Sequence, residues 1–101
     1  MNKIVLAAIV SLSCVTFPAY ADYSKRVCGG SDRANGCPVS KDIMLGCNPS
    51  EAQVGEAACS YWENGTRKVL PFHADHQGSH EGGSCGYEWY LVTCFTSGAP
   101  K

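Results

Sequence analysis

Six cysteines within 80 residues constrain this chain more than any other feature. They are Cys28, Cys37, Cys47, Cys59, Cys85 and Cys94, and they remain once residues 1–21 are set aside as an export signal. Lys3 supplies the positive start of that signal, Ile4 to Val10 its apolar run, and Ala19-Tyr20-Ala21 the small residues a signal peptidase reads. The run is far shorter than the ~20 residues a bilayer-spanning helix needs. A competing reading makes Cys14 a lipid-attachment site, but Ser11 stands where such motifs carry an aliphatic residue. Cleavage after Ala21 removes Cys14 and leaves an even number of cysteines. The signal is of bacterial type, so a periplasmic or secreted location is expected.

A chain of this size is marginal by hydrophobic burial alone. Six cysteines beyond an export signal then predict three disulfides. Each contributes ~2–4 kcal/mol, so together they rival the whole stability of a small domain. The gaps between them are 8, 9, 11, 25 and 8 residues, with no Cys-x-x-Cys pair. That spacing disfavours both a zinc site and dithiol redox catalysis. It also matches none of the inhibitor, defensin or knottin frameworks.

The expected fold class is α+β: a disulfide-rich domain over 22–101, with a loop-rich N-terminal half, one short helix and a three-stranded antiparallel sheet. Cys28-Gly29-Gly30-Ser31-Asp32, Asn35-Gly36-Cys37-Pro38 and Gly46-Cys47-Asn48-Pro49 read as turns. Ser40 is placed to cap a helical turn through Leu45. Asn48-Pro49-Ser50-Glu51 reads as a helix start with Asn48 as cap, and the helix should end near Cys59. Asn64-Gly65 is a strong two-residue hairpin signal, and its register sets Trp62 opposite Arg67 and Tyr61 opposite Lys68. A third strand over 87–95 should join this hairpin, because a lone hairpin is marginal. Its alternation puts Tyr87, Trp89, Leu91 and Phe95 on one face, and Glu88, Tyr90, Val92 and Cys94 on the other. If 86–93 is extended, Cys85 and Cys94 lie ~30 Å apart and cannot bond. Twelve of the fifteen possible connectivities then remain.

Three features are candidates for function. His73, His76 and His80 fall within eight residues, joined by Asp75 and Glu81. Imidazole and carboxylate are ordinary ligands for zinc or copper, whereas a glycine-rich solvated connection between strands is the simpler reading. Clustered histidines also titrate near neutrality. The second feature is the aromatic group Tyr61, Trp62, Tyr87, Trp89 and Tyr90; two or three of its members should stay exposed, where such rings anchor partners or stack on sugars. Arg67 and Lys68 stand beside them on the hairpin. The third, Asn64-Gly65-Thr66, is a formal glycosylation sequon read here as a turn.

No nucleophile-elbow or metallohydrolase motif supports an enzyme. Seven basic residues against nine acidic ones in 22–101 also disfavour nucleic acid. The sequence thus points to an exported module binding a protein or glycan, as an inhibitor, toxin or receptor-binding subunit, through Tyr61, Trp62, Arg67, Lys68, Trp89 and Tyr90. It requires no cofactor; the alternative is a zinc- or copper-binding protein using His73, His76 and His80.

Overall fold

The computed structural model describes residues 22–97, so the expected signal over 1–21, with Cys14, lies outside the described residues. The chain runs β1 (Tyr23–Gly30), α1 (Ser31–Ala34), β2 (Ile43–Leu45), α2 (Glu51–Cys59), β3 (Ser60–Glu63), β4 (Thr66–Val69), β5 (Phe72–His80) and β6 (Tyr87–Cys94). The class is α+β and disulfide-rich, but the sheet is not the three-stranded one expected. Four strands in the order β2-β1-β6-β5 form the main sheet, and β3 and β4 form a separate two-stranded ribbon.

Two corrections account for that difference. The N-terminal half is not mainly loop: β1 pairs antiparallel with β6 along its whole length, from Tyr23 opposite Cys94 to Gly30 opposite Tyr87. Gly29 and Gly30 lie inside this strand because their neighbours leave no room for a side chain. A Cβ on Gly29 would lie 2.5 Å from the Pro49 ring, and one on Gly30 would lie 2.5 Å from the Gly86 carbonyl oxygen. The histidine segment is likewise not a loop. It is β5, antiparallel to β6, with a bulge between His76 and Gly78. With β1 and β5 on its two sides, β6 has no free edge for the hairpin.

The helical turn expected from Ser40 to Leu45 is also replaced. The Asp42 side chain accepts from the Arg26 backbone N–H at 2.8 Å, and the Asp42 N–H donates to the Arg26 carbonyl at 2.8 Å. This clamp lays Ile43–Leu45 parallel to β1. Helix α2 starts two residues later than the Asn48 cap implied. Ser50 is the cap: its hydroxyl accepts from the Gln53 N–H at 3.1 Å, while Gln53 Oε1 accepts from the Ser50 N–H at 2.8 Å. This reciprocal pair satisfies two donors at the helix start. Asn48 instead takes a left-handed φ of 49°.

One face of α2 packs on the main sheet through Val54, Ala58 and Cys59, which meet Val27, Tyr90, Val92 and Cys94. Leu45, Phe72 and Ala74 flank this cluster. The largest fully buried side chains are three valines and three cysteines, so the core is thin. Its staples are Cys28–Cys37, Cys47–Cys85 and Cys59–Cys94. Cys85 and Cys94 do not pair, as the strand between them requires. Three disulfides in so small a domain suit an oxidising environment.

The turn α1 is strained. Asp32, Arg33 and Ala34 have φ of 53°, 52° and 62°, a left-handed run of three non-glycine residues. Such residues cost ~1–2 kcal/mol each. The Cys28–Cys37 bridge closes around the turn, the Cys37 N–H donates to the Ala34 carbonyl at 3.1 Å, and Ala34 is fully buried.

Candidate functional site

The β3–β4 ribbon starts without a linker, since α2 ends at Cys59 and β3 begins at Ser60. Its turn has φ of 52° at Asn64 and 78° at Gly65. Positive values at both centres suit the right-handed twist of the flanking strands. The register is the one read from the sequence, with Trp62 opposite Arg67 and Tyr61 opposite Lys68. At its base the Leu70 N–H donates to the Cys59 carbonyl at 3.0 Å, and the Cys59–Cys94 disulfide ties that base to β6.

Every residue from Tyr61 to Val69 is exposed. Trp62 leads with 72% of its surface accessible. Because facing residues share a side of the ribbon, Trp62, Arg67 and Val69 lie on one face, and Tyr61, Glu63 and Lys68 on the other. Val69, 38% exposed, was missed in reading the sequence, although counting outward from Asn64-Gly65 places it beside Trp62. The cations do not stack on their facing rings. Arg67 reaches back and donates to the Glu56 carbonyl at 3.4 Å, and Lys68 pairs with Glu63 at 3.8 Å. The Trp62 ring is therefore left to solvent.

The six expected binding residues do not form one surface. Tyr61, Trp62, Arg67 and Lys68 meet on the ribbon, whereas Trp89 and Tyr90 lie in the main sheet. Trp89 is half-buried against Gly78, where a Cβ would lie 2.8 Å from the indole. Tyr90 is in the core, 7% exposed, and Tyr87 is half-buried.

The strand conformation also divides the histidines. His73 faces Thr93 and His80 faces Tyr87 on one side of the sheet, while His76 faces Tyr90 on the other. Among the described residues, no three His, Cys, Asp or Glu side chains converge so as to hold a metal ion. His76 instead joins a polar cluster: its Nε2 lies 3.6 Å from Glu88 Oε1, and its ring meets Tyr90 edge-on at 5.1 Å. The Tyr90 hydroxyl donates to that same Glu88 oxygen at 2.8 Å. A cleft of about 600 Å³ opens beside this cluster, lined in part by His76, His80, Glu81, Cys85, Tyr87 and Glu88. It shares no residue with the ribbon.

Burial, followed by the Glu88 carboxylate, pushes the Tyr90 phenol up to about 12. An unfolded chain releases this proton from about pH 10, while the folded chain holds it to about pH 12. The resulting stability is fully present below pH 10 and is lost as pH rises through 12, at a cost on the order of 2 kcal/mol. Tyr90→Phe should flatten this alkaline limb in denaturant melts across that range. An equal fall in the variant would show that other groups cause it.

No helix among the described residues is long and apolar enough to cross a membrane. Compared with known proteins, the chain matches no family model, no curated protein and no solved structure.

Proposed function

We propose that this protein is a small exported binding module, acting in the periplasm or outside the cell, whose β3–β4 ribbon inserts into a groove on a protein partner. The observation that carries the reading is the exposure of Trp62, at 72%, on a ribbon exposed along its length. An indole held in water by a disulfide-anchored hairpin contributes nothing to the core. Aromatic anchors of this kind dominate interface energetics once a partner desolvates them. A protein partner suits the ribbon better than a glycan. Tyr61 and Trp62 are consecutive and face opposite ways, so they do not build a shared platform on which a sugar stacks. Arg67 shares the Trp62 face and Lys68 lies on the other, paired with Glu63; the role is that of an inhibitor, toxin or receptor-binding subunit.

The test is affinity capture from periplasmic and extracellular extracts with wild type, Trp62→Ala and Arg67→Ala, read by quantitative mass spectrometry. A specific protein should be retained by wild type and reduced by about tenfold or more with Trp62→Ala, the loss expected of an interface hot spot. The variant should melt within ~0.5 kcal/mol of wild type, as exposed substitutions usually do. Equal retention by wild type and a folded Trp62→Ala would reject the ribbon as the site. Elution by oligosaccharide would replace the protein partner with a glycan.

A further inference from the structure

The three disulfides differ in their access to water, and Ser31 gives one of them a chemical asymmetry. Cys59 and Cys94 are both fully buried, so a thiol attacking that bridge must wait for the fold to open, while Cys28–Cys37 pairs a fully buried sulfur with a half-buried one and has no exposed end. Cys47 is exposed, and its partner Cys85 is half-buried beside the cleft. We propose that Cys47–Cys85 is a thiol-exchange site, attacked by a small thiolate at Cys47 while Cys85 leaves.

The direction follows from Ser31, which is 3% exposed. Its Oγ accepts from the Cys85 backbone N–H at 2.9 Å and donates to the Gly82 carbonyl at 3.1 Å. The same oxygen lies 3.4 Å from Cys85 Sγ. A rotation of the hydroxyl proton from Gly82 to sulfur would therefore stabilise a thiolate at Cys85. A sulfur that is stabilised as an anion is the better leaving group. In the first step the attacking thiolate forms a bond to Cys47 Sγ, the Cys47–Cys85 bond breaks, and its electron pair stays on Cys85. A second thiolate attacking the mixed disulfide then releases Cys47 as a thiolate and carries away the oxidised small-molecule disulfide. The net change is a two-electron reduction of the protein by two thiols.

The fold is built to survive this exchange. The 81–86 loop remains held by the Ser31 N–H, which donates to the Gly86 carbonyl at 3.1 Å, and by the Cys85 N–H, which donates to Ser31 Oγ at 2.9 Å. Helix α2 remains tied to β6 by Cys59–Cys94. Exchange thus uncovers a Cys85 thiol at the cleft and leaves the core bridges closed.

The experiment is timed exposure of the oxidised protein to glutathione near neutral pH, followed by acid quench, alkylation with N-ethylmaleimide and peptide mapping. The first product should carry glutathione on Cys47 and the alkyl label on Cys85. It should appear before any label at Cys28 or Cys37 and at least about tenfold faster than any at Cys59 or Cys94, since buried sulfurs react only through opening of the fold. Its near-ultraviolet circular dichroism should remain native. Ser31→Ala should slow the exchange; Cys47→Ala/Cys85→Ala, which needs no Ser31 contact to sulfur, should fold and lack the fast phase. First labelling at Cys28, Cys37, Cys59 or Cys94, all-or-none labelling of six cysteines, or glutathione on Cys85 would each overturn the proposal.

Discussion

Replacing Cys59 and Cys94 together by alanine should unfold the domain or lower its melting temperature by some 20 °C. The bridge spans 35 residues and joins the last turn of α2 to the end of β6. A loop of that length contributes roughly 4 kcal/mol by restricting the unfolded chain. Both cysteines are also fully buried in the helix–sheet core, so their loss removes packing where the other buried members of the cluster are three valines, Ala58 and Tyr90. The sum is on the order of the entire stability of a domain this small, at ~0.05–0.15 kcal/mol per residue. For a domain below 100 residues, ~1 kcal/mol moves the midpoint by ~4–8 °C. Thermal melts by circular dichroism provide the measurement. A variant melting within a few degrees of wild type would mean that α2 and the sheet hold together without the staple. Cys47→Ala/Cys85→Ala is the informative control, because its sulfurs lie outside the buried cluster.

Features fixed by neighbouring residues were legible in the sequence. Asn64-Gly65 set the ribbon register correctly, because the backbone of that turn admits only one pairing of the flanking strands. The end of α2 at Cys59 and the extended conformation separating Cys85 from Cys94 were equally local. The missed features depend on distant contacts. Gly29 and Gly30 read as a turn, yet they belong to a strand because Pro49 and Gly86 crowd them from elsewhere in the chain. Asn48 has a good capping side chain, but its left-handed backbone passes that role to Ser50. The hairpin failed to recruit β6 because β1, paired with it across 57 to 71 residues of chain, and β5 had taken its two edges.

The same division runs through the candidate site. Alternation placed Tyr87, Trp89, Leu91 and Phe95 opposite Glu88, Tyr90, Val92 and Cys94; the strand keeps that pattern up to Cys94, where it ends, and Phe95 beyond it is buried. What alternation does not reveal is which side the helix covers. Cys94 decides it, since its bond to Cys59 draws α2 onto the side carrying Tyr90 and Val92. Tyr90 is thereby committed to the core, and Trp62, on a ribbon that nothing covers among the described residues, becomes the exposed ring. The histidines illustrate the converse: eight residues hold all three in sequence, but a strand with a bulge sends His76 to the face opposite His73 and His80.

Gly55→Leu should destabilise the domain by roughly 3 kcal/mol even though it replaces a poor helix former with a good one. In an exposed helix interior the change would stabilise by ~1 kcal/mol. Here Gly55 is buried, and a Cβ built on it would overlap the edge of the Phe72 ring. Phe72 lies opposite Cys94 at the start of β5, packed on the helix–sheet cluster. A leucine therefore has to expel the ring. Loss of a phenylalanine from a packed site costs ~3–5 kcal/mol, with the lower end fitting a half-buried ring, and overpacking adds ~1–3 kcal/mol. These penalties exceed the gain in helix propensity. The mechanism is identified by a double-mutant cycle with Phe72→Ala, measured by urea unfolding. In that background the leucine enters the space left by the ring, so the same substitution should become neutral or stabilising, a coupling far above the ~0.5 kcal/mol of independent sites. If Gly55→Leu costs the same with and without Phe72, steric exclusion by the ring is not what keeps a glycine in this helix.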